Sequence, residues 1–379
     1  LICTVEKIER KKENKNPPLL FNLAELQNVC SKLFKISPDE TLSIVQDLYE
    51  KKLVTYPRTD ARVLSTAVAK EIYKNISGLR NYPQAGEAAQ GALELGAYKN
   101  IAKTRYTNDK QITDHYAIIP TGQGLGALKG LSLTAQRVYE TIVRRFLSIF
   151  YPPAVYQKVS LVTKMENESF FSSFKVLLSE GYLKIAANSF AKKSMAEASG
   201  KTPESEGEGE VSCDEALLAA LQKLKKGDIL NINGLGIKEG ETSPPKRYNS
   251  GSMILAMENA GQLIEDEDLR SQIKGSGIGT SATRAEILKK LFNIRYLSLN
   301  KKTQVITPTL QGEMIYDVVN CSIRQLLNPE LTASWEKGLT YVAEGSITEQ
   351  EYMDKLEHFV RIRTKQVEDS HFQLSLIHI

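Results

Sequence analysis

At Tyr151-Pro152-Pro153 the periodicity of this chain changes, and whatever it folds into must accommodate both sides of that change. Upstream, Val138, Ile142, Val143, Phe146, Leu147 and Phe150 recur at the three- and four-residue spacing that lines one face of a helix, opened by Leu133-Thr134. The paired prolines end it. From Val155 to Leu183 alternating, β-branched and aromatic residues take over and read as strands. At 379 residues the chain exceeds what one small core needs, so two or three domains of mixed α and β structure are expected. The sheet is placed around 155–245 and is expected to be antiparallel. The alternating opening Ile2-Cys3-Thr4-Val5-Glu6-Lys7-Ile8 completes it before a basic polar turn at 10–16 and the helix stop Pro17-Pro18. Residues 196–210, rich in Gly, Ser and Glu, read as a mobile acidic loop interrupting the sheet.

Other elements announce themselves locally. Ser37-Pro38-Asp39-Glu40 combines an N-cap, a first-position proline and first-turn acids, and Ile44, Val45, Leu48 and Tyr49 give the helix one apolar face ending at Lys51-Lys52. Leu53-Val54-Thr55-Tyr56 reads as a short strand, Ser65 to Ile76 as a helix, and 252–264 as another. Residues 281–317 follow the order helix, strand (Tyr296-Leu297-Ser298), turn (Asn300–Thr303), strand (Gln304–Thr307), helix from Thr309, which is the pattern of a winged helix. No internal sequence repeat is visible.

A net charge of +4 permits nucleic-acid binding without requiring it, although the acidic stretch 192–215 leaves the remainder more basic than the total. No apolar run approaches the roughly 20 residues of a membrane helix, and no secretory signal opens the chain. Cys3, Cys30, Cys213 and Cys321 lie far apart without a CxxC pair, which argues against a zinc site or disulfide framework and fits a reducing cytoplasm.

Three segments carry candidate chemistry. In Tyr56-Pro57-Arg58-Thr59-Asp60 the proline forces Tyr56 into extended backbone, where residues i and i+2 point the same way. The Tyr56 hydroxyl and Arg58 guanidinium can then face one ligand. A phenol with pKa about 10 is a poor nucleophile at neutral pH unless positive charge lies close, and arginine binds phosphate oxygens in a fork. The plain structural reading is a strand-end aromatic. In Asp114-His115-Tyr116-Ala117-Ile118-Ile119-Pro120-Thr121 a histidine opens a short apolar strand, placed to hydrogen-bond a phosphate or move a proton, or simply to fill a structural role. In Lys274-Gly275-Ser276-Gly277-Ile278-Gly279-Thr280-Ser281-Ala282-Thr283-Arg284 alternating glycines lead into a helix expected to be capped by Thr280 or Ser281. Backbone N–H groups there could approach a phosphate, with Arg284 adding charge; a plain turn is the alternative. No Gly-Lys-Ser/Thr closes this loop, so it is no Walker A motif.

In this order the three segments resemble the type IA DNA topoisomerases, the topoisomerase III branch more than the topoisomerase I branch. Pro17-Pro18-Leu19-Leu20-Phe21-Asn22-Leu23, Pro244-Pro245-Lys246-Arg247-Tyr248 and Leu331-Thr332-Ala333-Ser334-Trp335-Glu336-Lys337-Gly338-Leu339 agree, so the resemblance spans nearly the whole chain. It implies a toroid of largely helical domains joined by a β arch. Residues 1–23 and 153–245 would form the arch, 24–152 the helical domain carrying the tyrosine, and 246–379 a winged-helix-like single-strand DNA-binding domain. It implies Tyr56 as nucleophile forming a 5′-phosphotyrosyl bond, Arg58 as the group orienting the scissile phosphate, and His115 close to the broken strand. Lys274, Gly279, Thr280, Ser281 and Arg284 fall in the segment that holds the single strand. Religation needs no ATP, because the phosphodiester energy stays in the covalent link.

The family places an acidic Toprim domain, with an Asp-x-Asp pair holding Mg²⁺, before the point at which this sequence starts, and no Asp-x-Asp lies upstream of Tyr56. The expectation is that this chain alone binds single-stranded DNA without completing catalysis, that it holds no metal itself, and that the Toprim domain of the full-length protein is its partner. A tyrosine recombinase would put the tyrosine after its arginine and histidine motifs. A non-catalytic winged-helix binder gives no reason for Tyr-Pro-Arg.

Overall fold

The opening residues form a strand that runs far past their hydrophobic alternation. Strand β1 covers Ile2–Lys15, 14 residues, and pairs along most of its length with β2 (Ala154–Met165). The expected turn at 10–16 is therefore strand: Lys11 lies opposite Lys158 and Glu13 opposite Tyr156. Its charged residues show no apolar alternation to read, and the neighbouring strand supplies the backbone partners instead. β2 returns as β3 (Glu168–Ser179) through a turn in which Glu166 takes a left-handed φ of 53°. Two short edges complete the sheet in the order β4-β3-β2-β1-β5, with β4 at Glu210–Ser212 and β5 at Ile229–Asn231. All pairings are antiparallel except β3 with β4, which are parallel.

The computed structural model describes residues 1–191, 210–212, 215–237, 239–263 and 277–369. The expected acidic loop lies outside them except for Glu210, which opens β4. The chain forms two compact units: Leu1–Leu20, Leu48–Thr55 and Ala61–Pro244 in the first, Phe21–Asp47, Tyr56–Asp60 and Pro245–Ile379 in the second.

In the first unit one face of the sheet, bearing Val5, Val159 and Leu161, buries Leu218 and Leu221 of the helix Glu215–Lys223. The helix Leu133–Ser148 starts at the expected Leu133, with the Ser132 side chain accepting from Ala135 N–H as its cap. Its buried face includes Val138, Ile142, Val143, Phe146 and Leu147. It also buries Glu140, whose carboxylate accepts from Arg144 Nε (3.1 Å) and from both the N–H (2.6 Å) and the hydroxyl (2.7 Å) of Ser189. The helix expected from Ser65 divides into Thr66–Glu71 and Tyr73–Gly78.

In the second unit α1 (Leu23–Phe34) packs against the helix Ser250–Glu258, with Ala24, Ile254, Met257, Leu288 and Ile306 in a shared core. Helix α2 (Pro38–Glu50) begins where its cap signals place it, with Ser37 Oγ accepting from Glu40 N–H; its last turn belongs to the first unit. The helix Ser250–Glu258 is shorter than expected and passes into a 3₁₀ turn at Ala260–Leu263. Next come the helix Arg284–Asn293, β6 (Leu297–Leu299), a turn held by Asn300, β7 (Ile306–Pro308) and the helix Leu310–Ser322, with β6 and β7 antiparallel. That is the winged-helix order expected of 281–317. No helix among the described residues is long and apolar enough to cross a membrane.

Candidate functional site

Thr55 is the last residue of the first unit before the tyrosine motif, and three hydrogen bonds fix it. Its N–H donates to Ile119 O (3.0 Å), its hydroxyl donates to Ala117 O (3.0 Å), and Ile119 N–H donates back to that hydroxyl (3.0 Å). Val54 and Pro120 form an isolated antiparallel bridge, so the two expected strands are here a short extended pairing. Ala117, Ile118 and Ile119 are buried, whereas His115, at the open end of the segment, is exposed. His115 belongs to the first unit.

Tyr56–Asp60 belongs to the second. Exposure alternates along it: Pro57 and Thr59 are buried, Tyr56 is half-buried, and Arg58 and Asp60 are exposed. Thr59 N–H donates to Pro57 O (3.0 Å), a three-residue turn around Arg58, so exposure alternates here on backbone that is not the fully extended segment expected. The segment is anchored from behind. Leu23 N–H donates to Thr59 O (3.1 Å), so the start of α1 holds the motif. Asn22, the N-cap of α1, uses its oxygen for Glu25 N–H and its amide nitrogen for Asp60 O (3.1 Å) and Glu258 Oε1 (2.6 Å).

Arg284 completes the anchor. Only 1 % of its side chain is exposed, and Nη1 lies 2.8 Å from Asp60 Oδ1 and 4.0 Å from Glu258 Oε1. Nε and Nη2 donate to Ile278 O and Gly279 O, each at 3.2 Å. A guanidinium keeps its charge when buried, so desolvation must be offset by such partners, and two carboxylates with two carbonyls supply them. Arg284 thus ties the glycine-rich turn to the tyrosine segment.

The turn itself corrects the expected helix cap. The helix starts at Arg284 with Thr283 in the cap position, and neither Thr280 nor Ser281 caps it. Instead Thr280 N–H donates to Thr283 Oγ1 (2.9 Å), and Thr280 O accepts from Arg284 N–H (3.0 Å), which turns the chain once before the helix. Position 277 requires glycine on two counts: its φ is left-handed (58°), and a Cβ there would lie 2.4 Å from Met257 O and from Glu258 O. Thr280 is exposed and Ser281 half-buried. Lys274 lies outside the described residues. Asn22, Asp60 and Glu258 were not assigned roles from sequence. Asn22 and Asp60 stand within motifs quoted above, whereas Glu258 ends an ordinary helix and carries no local signal. Among the described residues no group of three His, Cys, Asp or Glu side chains could hold a metal ion.

The family model of the DNA topoisomerases matches residues 2–354. The chain belongs to that family. Among curated topoisomerases it is 33 % identical over 357 residues to DNA topoisomerase 3 of Bacillus licheniformis, covering 93 % of this chain and 45 % of that protein. It is 32 % identical over 372 residues to DNA topoisomerase 3 of Bacillus subtilis, covering 97 % and 47 %. The chain therefore spans about half the length of these topoisomerases. Among solved structures it resembles full-length topoisomerase I from Thermotoga maritima, with a TM-score of 0.63 and 22 % identity over 98 % of this chain and 53 % of that one. That likeness establishes a topoisomerase-type fold of mixed helix and sheet, and the curated relatives are of the topoisomerase III kind.

Proposed function

We propose that this chain is the DNA-gating part of a type IA, topoisomerase III-like enzyme, and that Tyr56 is its nucleophile. The observation that carries the reading is the anchored Tyr56–Asp60 segment, buried at Pro57 and Thr59 and accessible at Tyr56 and Arg58, in a chain of the topoisomerase family. The Tyr56 oxygen forms a bond to phosphorus as the phosphorus–O3′ bond breaks. The phenol gives up its proton and the leaving 3′ oxygen takes one, leaving a 5′-phosphotyrosyl link and a free 3′-hydroxyl. Arg58 is exposed two residues on and stabilises charge at the phosphate, where a forked donor is worth most. His115 serves the broken strand as hydrogen-bond partner. Gly279, Thr280 and Ser281, with Lys274, hold the single strand upstream, and Arg284 acts from behind by joining their turn to Asp60. Reversal of the same bond exchange religates the strand without ATP, and passage of another strand in between yields relaxation or decatenation.

The reading divides the chain functionally into a β arch (1–23 and 153–245), a tyrosine-bearing domain (24–152) and a strand-binding domain (246–379), working in the cytoplasm. Mg²⁺ is assigned to the Toprim domain of the same full-length protein. The described residues here offer no fitting set of ligands, and no step above runs through the ion.

Covalent trapping on a 3′-labelled single-stranded oligonucleotide tests the nucleophile, because a 5′-phosphotyrosyl adduct retains the 3′ label. With Mg²⁺ and the Toprim domain present, wild type should give a labelled adduct and Tyr56→Phe none. An adduct that survives Tyr56→Phe removes Tyr56 from the role.

A further inference from the structure

Beside the helix Leu133–Ser148 the first unit holds a cavity of about 650 Å³, a volume typical of small-molecule sites. None of the residues assigned to DNA chemistry above lines it.

The charge this cavity has left to offer is positive. Glu140 is the one carboxylate among its described lining residues, and both oxygens are taken. Oε1 accepts from Arg144 Nε (3.1 Å) and Ser189 N–H (2.6 Å), and Oε2 from the Ser189 hydroxyl (2.7 Å). Arg137, one turn before Glu140 on the same helix, is half-buried and lines the cavity without a carboxylate partner among the described residues. Its guanidinium carbon lies 5.2 Å from the centroid of the Phe190 ring, a contact that uses the face of the group. The N–H groups in its plane donate to no described residue, and that fork fits the oxygens of a carboxylate or phosphate. Lys129 lines the same cavity, is exposed and makes no ion pair among the described residues.

Tyr82 points to a ligand independently. It lines the cavity, is 3 % exposed, and its ring is set edge-on against Tyr139, with centroids 5.2 Å apart and 75° between the planes. Its hydroxyl nevertheless has no hydrogen-bond partner among the described residues, whereas a buried phenol ordinarily finds one. Burial, and then the Glu140 carboxylate, push this phenol above its ordinary range, so it stays protonated and can donate to a group entering the cavity. The remaining wall is apolar: Leu125 and Leu128 are half-buried, and Leu133 is 62 % exposed.

We propose that this cavity binds a small planar molecule carrying an anionic group, its ring against Leu125, Leu128 and Leu133, its carboxylate or phosphate on Arg137 and Lys129, and Tyr82 donating a further hydrogen bond. A cationic ligand would find the one described carboxylate already spent, and a neutral apolar one would leave Arg137 and Tyr82 unpaired. The site stands apart from the topoisomerase reading, since the Tyr56 segment belongs to the other unit.

Isothermal titration calorimetry with 2-naphthoate, and with 2-naphthylmethanol as its neutral counterpart, tests the site on wild type, Arg137→Gln, Tyr82→Phe and Gly126→Leu. Gly126 lines the cavity, its φ is not left-handed, and nothing lies within 4 Å of a Cβ there, so a leucine can fill the space without displacing the chain. Wild type should bind 2-naphthoate at least about tenfold more tightly than the alcohol, the difference one charge-assisted hydrogen bond makes. Arg137→Gln should remove most of that preference and leave the alcohol unchanged. Tyr82→Phe should weaken 2-naphthoate about fivefold without lowering the melting temperature, because the hydroxyl it removes has no partner among the described residues. Gly126→Leu should abolish binding of both compounds with the melting temperature kept. Displacement of 2-naphthoate by thymidine 5′-monophosphate would assign the site to nucleotides, and resistance to it would assign the site to aromatic carboxylates. Equal affinity for acid and alcohol, or an Arg137→Gln variant that binds 2-naphthoate like wild type, overturns the anionic assignment. Binding that survives Gly126→Leu, or no binding to wild type at about 1 mM, overturns the cavity itself. The Tyr56 adduct is read separately and moves with none of these outcomes.

Discussion

Arg284 shows how a residue can stand in a recognisable motif and yet have its place decided elsewhere. In the sequence it closes a glycine-rich, phosphate-binding-like segment and reads as a surface cation. In the fold it is almost fully buried and bonded to Asp60, 224 positions away in the chain. Removing one member of a buried ion pair strands its partners, so Arg284→Ala should cost about 3 kcal/mol. Urea unfolding followed by fluorescence of Trp335, in the same unit, measures it. Arg284→Lys should recover only part of the loss, because an ammonium cannot serve a carboxylate and two carbonyls as a planar fork does. Asp60→Asn should cost less than Arg284→Ala, since the Asp60 side chain is 37 % exposed and solvent screens it. A near-neutral Arg284→Ala would contradict the anchoring role. The Tyr56 motif was legible for the opposite reason: its proline, arginine and alternation act within a few residues of one another.

Among the elements, α1 and the helix Ser250–Glu258 depend on a glycine for their closeness. A Cβ on Gly251 would lie 2.6 Å from Asn28 Cα and 2.9 Å from Ser31 Cβ. Next to it Ser31 Oγ and Ser250 Oγ are 3.0 Å apart, and Ser250 Oγ donates to Gln304 Oε1 (2.8 Å). Gly251→Val must part the two helices and break this buried chain of hydroxyls, a loss of about 2–3 kcal/mol. Thermal melts should show the drop, with Gly126→Ala as control, because nothing lies within 4 Å of a Cβ there. An unchanged midpoint for Gly251→Val would mean that the helices are not held at this distance. Of these two helices only the second is read from the sequence, at 252–264; neither α1 nor the contact is, and a lone Gly in Ser250-Gly251-Ser252 looks like a helix weakness.

At the scale of the whole molecule, the chain forms two compact units, and the tyrosine segment belongs to the second. Tyr56→Phe removes a single hydroxyl, so it should leave oligonucleotide affinity within about twofold of wild type while abolishing the adduct. Fluorescence anisotropy of a labelled single-stranded oligonucleotide checks this, and a tenfold loss of affinity in Tyr56→Phe would show that the phenol itself carries much of the binding. The chain crosses between the units five times, at residues 20–21, 47–48, 55–56, 60–61 and 244–245. Two of these crossings bracket Tyr56–Asp60, so the motif is a short excursion of five residues between stretches assigned to the first unit.

What the sequence determined by itself was whatever is settled by neighbours along the chain: capped helices, the winged-helix order of 281–317 and, through its ordered motifs, membership of the topoisomerase family. The tertiary structure alone decided the continuation of β1 through its charged half, the alignment of Lys11 with Lys158, the later start of the helix at Arg284 and the pairing of Arg284 with Asp60. Each of these depends on partners far away in the chain. Charged residues carry no periodic hydrophobic signal of strand or burial, so only the arrival of a neighbouring strand or a distant carboxylate fixes where they lie.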